Sequence, residues 1–324
     1  MKVTTYGTAG SLAICNRNRM IHGGNTTCLR IHSNCLQEGT ALAVDAGTGY
    51  YPMCMDVLRE GGISKIVTLF THYHHDHTQG LLLAPPTYIK SIHMDLIGPV
   101  DQNIGPKEVL ETLMRPPFHP LDSVEVKSHF GFLKIDHPAG TVMIFHPEGG
   151  MKKMDLDEFQ RNESKNGLIP VGESKYPIGE CLIVKMIKTA HPEHTISYRF
   201  EERTTGKVFV FLTDHENTDG ISVALHDHIK GADLFIADAQ YNTKTYETRT
   251  AGYGHGTGAY VTRLGEACIV DPLNTTKIAH IGLTHHDPNA DDTFIESILT
   301  EAKAARKHTE TCIFSCKDME TIEV

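Results

Sequence analysis

The stretch LFTHYHHDHTQG, Leu69 to Gly80, places four histidines and one aspartate within the six positions 72–77. An apolar run, Ile66 to Phe70, leads straight into them, and a glycine follows. On an extended chain His72 and His74 share a face. A turn beyond them lets Asp76 and His77 swing toward a second point nearby. That spacing can place two ligands on one ion and two on its neighbour. Imidazole and carboxylate suit zinc, manganese or iron. A surface cluster or a set of satisfied core histidines is the bland alternative. The strand before the cluster and the turn after it argue for metal. His75 lies between the ligand candidates and faces away, as a rim or structural residue.

Composition narrows the setting. The 324 residues give one large domain or two modest ones, with ample interior. No apolar run reaches the ~18 residues that span a bilayer. MKVTTYGTAG enters a strand pattern directly and does not read as a signal peptide. The eight cysteines include no CxxC pair, and a chain of this size needs no disulfide staples, so reduced thiols and a cytoplasmic setting are expected. Cys312 and Cys316, in the strand-like TCIFSC, read as buried small residues. The net charge of −10 gives no basic surplus for gripping long nucleic acid.

Strand and helix signals interleave. VTTYG, TCLRIH, TALAVDAGTG, KIVTLF, KVFVFLTD, ADLFIADAQ and KIAHIGLTHH read as strands. MDVLREGGIS, GAYVTRLGEACIV and DDTFIESILTEAKAARKH read as helices. In the last, Phe294, Ile295, Ile298, Leu299 and Ala302 share one face. The order predicts a layered α/β domain over residues 1–324. Residues of roughly 121–179 are irregular and charged, and read as an insertion or lid.

HYHHDH is the HxHxDH signature, and here the chain resembles the metallo-β-lactamase superfamily. DAGTG with Asp45, HPEHTISYRF, FLTDHE, ADLFIADAQY, GYGHGT and LTHHDPNADD follow in that family's order. The last three resemble its RNase Z-like, phosphodiesterase branch, whose neighbourhood includes phage anti-Pycsar cyclic nucleotide phosphodiesterases. Ser197 stands where glycine is commoner. The resemblance implies a four-layer αββα sandwich. It implies that His72, His74 and His191 hold a first metal, that Asp76, His77 and His285 hold a second, and that Asp214 bridges them. Zinc is the first choice of ion and manganese the second. His194 and His286 are the rivals of His191 and His285; His286 and Asp287 read as supporting or turn residues. Asp45 is implied to steady the signature loop without touching metal.

The resemblance also gives His255 contact with the scissile phosphate and protonation of the leaving oxygen, oriented by Asp238. A carboxylate that holds an imidazole in one tautomer is a general-acid arrangement. Asn25 in GGNTTC, Arg199 in SYRF, and Phe118 and His119 in RPPFHP are candidate substrate contacts. The expected function is a dinuclear phosphodiesterase that hydrolyses a small or cyclic phosphodiester through a metal-bridged hydroxide, working as a homodimer. RNase Z-type tRNA 3′-processing is the alternative; its exosite arm would fall in 121–179, where the glycine-proline pattern is missing. A non-phosphate hydrolase, or a non-catalytic metal-binding sensor, is the third.

Overall fold

The computed structural model describes residues 1–270 and 280–324. The strands are β1 Lys2–Gly7, β2 Cys28–His32, β3 Thr40–Val44, β4 Lys65–Leu69, β5 His93–Pro99, β6 Phe130–Ile135, β7 Thr141–His146, β8 Gly150–Asp155, β9 Leu168–Val171, β10 Ser174–Pro177, β11 Leu182–Lys188, β12 Ile196–Glu202, β13 Lys207–Leu212, β14 Leu234–Asp238, β15 His280–Thr284, β16 Cys312–Ser315 and β17 Glu320–Glu323. The helices are α1 Tyr50–Glu60, α2 His75–Thr78, α3 Pro106–Leu113, α4 Leu156–Lys165, α5 Val223–Ile229, α6 Thr243–Thr245, α7 Gly258–Ile269 and α8 Asp292–Ala304. The strand expected from KIAHIGLTHH is present as β15; its residues 277–279 lie outside the described residues.

Two sheets stack. One runs β17-β1-β2-β3-β4-β5-β6 and the other β16-β15-β14-β13-β12-β11-β7-β8. Strands β3 to β6 are parallel, as are β13 to β16, and the inner strands β4, β14 and β15 are buried on both faces. That is why they read as continuous apolar runs. Alternation within each run then sorts the layers. Phe209, Phe211, Leu234 and Ile236 face the other sheet, against Val67 and Leu69 of β4. Val210, Leu212, Phe235 and Ala237 face α5, α7 and α8 instead. Across the sandwich, Ile66 and Met94 turn toward α1 and α3. The order is helix, sheet, sheet, helix, the expected four layers.

Local chemistry sets the helix starts. Asp291 caps α8, its side chain accepting from Phe294 N at 2.8 Å, and Thr257 caps α7 by accepting from Tyr260 N at 3.2 Å. The segment 121–179 is a partial correction. It supplies β6, the edge of the first sheet, together with β7 and β8, which extend the second. GFLKI and TVMIF carry strand alternation that the charged run beside them obscures. Outside the two sheets lie α4 and the hairpin β9–β10. They close over their own apolar cluster, in which Phe159 and Ile169 pack on Val142 and Ile183. All eight cysteines are unpaired; Cys316 is buried and Cys312 exposed. No described helix is long and apolar enough to cross a membrane.

Candidate metal centre

The parallel strands of both sheets end at one rim of the sandwich, where ligands collect in open α/β sheets. Asp45 follows β3, His72 to His77 follow β4, Asp214 follows β13, Asp238 ends β14 and His285 follows β15. Asp45, Asp214 and His285 have φ of 59°, 48° and 62°. The left-handed region costs a non-glycine residue roughly 1–2 kcal/mol. Three such residues at one rim mark where the fold holds strain against function.

The signature loop differs in detail from the strand expected for it. β4 stops at Leu69, so His72 and His74 lie on the segment between β4 and α2, while Asp76 and His77 lie on α2. The two pairs still converge as their spacing suggests. His72, His74, His191 and Asp214 each offer a ligand atom within 4.8 Å of the others, and so do Asp76, His77 and His285. Asp214 lies between the groups. Its Oδ2 is 3.4 Å from His72 Nε2, and its Oδ1 is 3.4 Å from both His77 Nε2 and His285 Nε2. Asp76 Oδ2 is 3.2 Å from His285 Nε2 and 3.4 Å from His77 Nε2.

Four of the five imidazoles, those of His72, His77, His191 and His285, are held from the far side. His77 Nδ1–H donates to Asp45 Oδ2 at 2.8 Å. The Thr71 hydroxyl donates to the same oxygen at 2.8 Å and accepts from His72 Nδ1–H at 3.1 Å. His191 Nδ1–H donates to the Gly254 carbonyl at 3.0 Å, and His285 Nδ1–H to Gln240 Oε1 at 3.3 Å. These bonds fix the protons on Nδ1 and turn the Nε2 lone pairs inward, as ligating histidines require. The Nε2 atoms of His72, His77 and His191 are buried without a hydrogen-bond partner. Buried polar atoms are rarely left so, and a cation satisfies them. The donor set therefore fits two divalent ions.

Electrostatics agree. Burial opposes ionisation of Asp214 and Asp76, but the surrounding imidazoles outweigh it and hold both carboxyls well below their usual range. His72 is pushed well down, by burial first and then by His77. Asp238 Oδ2 accepts from His255 Nδ1 at 2.8 Å. Burial resists the charged form of His255, yet Asp238 prevails and raises it to about 9. A divalent ion on the neighbouring carboxylates opposes that rise. The His255 ring stacks on His285 at 4.8 Å.

The rivals are drawn elsewhere. His194 Nδ1 faces the Val100 carbonyl at 3.0 Å, and its amide donates to Asp101. His286 Nε2 faces the Cys316 carbonyl at 3.1 Å. Exposed His75 sits at the start of α2, pointing out of the cluster. Of the candidate substrate contacts, Arg199 is committed to Glu201 and to the carbonyls of His228 and Lys230. It lines a cavity of about 670 Å³ that contains none of the ligand candidates. The Asn25 side chain accepts from the Thr48 hydroxyl at 3.3 Å. His119 is 5% exposed and bonds to Tyr88 and Leu121, whereas Phe118 projects into solvent at 79% exposure.

Three participants escape the sequence reading. Gln240 orients His285, the Ser11 amide donates to Asp76 Oδ2 at 2.7 Å, and Glu193 reaches the first group. Gln240, in IADAQ, sits two residues beyond Asp238, a signal that was available. Ser11 and Glu193 come from loops whose path only the fold sets.

As a sequence, the chain matches no protein-family model and no curated protein. Solved structures do resemble it. The metallo-β-lactamase-fold protein YhfI of Bacillus subtilis superposes with a TM-score of 0.61 at 15% identity, over 99% of each chain. Unliganded yeast PDE1 gives 0.62 at 12% identity, over 100% of this chain and 99% of that one. The short form of human tRNase Z gives 0.54 at 15% identity, with the same coverage. Matched over nearly the whole of each chain, this protein has the metallo-β-lactamase fold.

Proposed function

We propose that this protein is a dinuclear metal-dependent phosphodiesterase acting on a small or cyclic phosphodiester. The observation that carries the reading is Asp214, one of whose carboxylate oxygens faces His72 while the other faces His77 and His285. A carboxylate shared in this way suits two ions held about 3.5–4 Å apart. When bound, zinc or manganese ions there neutralise phosphoryl oxygens and activate water for in-line attack. The protein's own groups supply the rest. Asp45, Thr71, Gly254 and Gln240 hold the imidazoles in one tautomer. Asp238 holds His255 at Nδ1, leaving Nε2 to carry a proton for the departing oxygen, and the Asp238 carboxylate favours the protonated ring.

Two observations support a small substrate over tRNA. The net charge is −10, against the basic face that polymer binding uses. The segment 121–179 packs into the sheets and its own core and offers no glycine-proline arm. The same reading takes the working form to be a homodimer, which sedimentation would check.

The test is a panel of bis-p-nitrophenyl phosphate, cyclic nucleotides, pre-tRNA and nitrocefin, each with and without chelator. Cyclic nucleotide turnover that chelator stops and added manganese or zinc restores is the expected result. Cleavage of pre-tRNA without turnover of small diesters would transfer the protein to tRNA processing. Turnover of nitrocefin alone would end the phosphodiesterase reading.

A further inference from the structure

The His191-Pro192-Glu193 turn closes the hairpin between β11 and β12, with Thr195 N donating to the Glu193 carbonyl at 2.9 Å. It carries a carboxylate back over the first histidine group. Glu193 Oε2 is 3.2 Å from His191 Nε2 and 3.3 Å from His74 Nε2. His191 carries its proton on Nδ1, since that atom donates to the Gly254 carbonyl. Its Nε2 therefore presents a lone pair, and it is buried with no hydrogen-bond partner. An anionic oxygen and an imidazole lone pair 3.2 Å apart repel unless positive charge lies close to both. The same oxygen approaches a second imidazole nitrogen from the solvent side.

We propose that Glu193 is a further ligand of the first metal position. This rests on the reading of the rim as a metal centre. The seven side chains implied by the sequence motif offer only two carboxylates, Asp76 and Asp214, against the charge of two divalent ions. Glu193 adds a third anion beside His191 and His74. It changes the character of that position from three imidazoles and one carboxylate to three imidazoles and two carboxylates. Oxygen-rich, higher-coordinate sites favour manganese or ferrous iron, whereas zinc prefers four ligands. The side chains of His74 and Glu193 are each 44% exposed, so this is the open side of the position. Glu193 is the ligand that an arriving anion would displace.

Metal titration of metal-free protein tests the proposal. Wild type, Glu193→Gln and Glu193→Asp are titrated with Mn²⁺ and Zn²⁺ by calorimetry, with bound metal counted by elemental analysis. Thermal melts of the metal-free proteins check folding, and the exposed position predicts no change there. The cobalt-substituted visible spectrum reports coordination number. The expected result is two ions in every protein, with the weaker Mn²⁺ step of Glu193→Gln loosened about tenfold, the scale on which metal-site partners act. The Zn²⁺ step should move less, the cobalt absorption should strengthen as coordination falls, and Glu193→Asp should lie between. Wild-type and Glu193→Gln titrations and cobalt spectra that coincide would overturn the role of Glu193 while leaving the metal centre intact. Wild-type protein that takes up no divalent ion would overturn both.

Discussion

The Nδ1 of His191 donates to the carbonyl of Gly254, 3.0 Å away, and this one bond joins the HPEHTISYRF turn to the GYGHGT loop. Gly254 has φ of +91°, and a Cβ built on it would overlap the His191 ring. Glu216 secures the loop from behind, accepting from Gly254 N at 2.6 Å and bonding the Tyr246 hydroxyl. Gly254→Ala should therefore displace His191. We expect metal affinity at the first position to fall about 10–100-fold, read by calorimetric titration, with the second position little changed.

Asp45 is fully buried and accepts from Thr71 N at 2.7 Å, from the Thr71 hydroxyl and from His77. Asp45→Asn keeps the shape but loses one acceptor. The His77 ring then has no fixed tautomer. A loss of about 10–100-fold in affinity at the second position is expected, together with a lower melting temperature of the metal-free protein. Unaltered titration curves would show that the pair does not orient the ligand.

His255→Ala should lower kcat by about 10²–10⁴-fold on a cyclic nucleotide, whose leaving alkoxide needs a proton. On bis-p-nitrophenyl phosphate, whose leaving group departs unprotonated, the loss should be slight. Metal content should stay at the wild-type value. Equal losses on both substrates would mean that His255 acts on something other than the leaving oxygen.

His228 gives a pH dependence of stability well away from the rim. Burial first, and Arg199 next, lower it from 6.5 to about 3. Glu201 opposes, and Lys185 adds to the fall. Its Nε2–H donates to Ser197 Oγ at 3.0 Å, while that hydroxyl donates to the Phe211 carbonyl. The folded state thus binds fewer protons than the unfolded state between pH 3 and 6.5. Stability is full above the unfolded value and falls as acid is added. From pH 6.5 to 5 this group alone removes about 2 kcal/mol. Urea melts of wild type and His228→Leu at the two pH values would show that difference, with the flatter profile in the variant.

Removing metal should also destabilise the fold. Ions bind the assembled rim and not the open chain, so each raises stability by mass action, by about 2.7 kcal/mol at a hundredfold excess over Kd. The melting temperature should rise with Mn²⁺ or Zn²⁺ concentration in wild type and rise less in Asp214→Ala.

Much of this was legible in the sequence. Runs such as KIVTLF and VFVFL are apolar throughout because parallel strands are buried on both faces, so the sheets could be located. HYHHDH, GYGHGT and LTHH could be grouped as one site through their resemblance to the order of metallo-β-lactamase motifs. The strands within 121–179 were obscured by neighbouring charge. Arg199 could not be placed, because neighbours on a strand face opposite ways: Tyr198 enters the core while Arg199 faces outward to Glu201.

The sequence by itself determined that a histidine–aspartate cluster follows a buried strand and in what order the other histidine and aspartate motifs come, since both are properties of residue type and spacing. Only the tertiary structure sets His191 and His285, and not His194 and His286, beside the other candidate ligands. His285 and His286 are adjacent and His191 and His194 lie three positions apart, so spacing alone does not say which ring turns to the rim. The same holds for Gln240 and Glu193. Their places follow from where distant loops meet at the rim, and no local pattern encodes that.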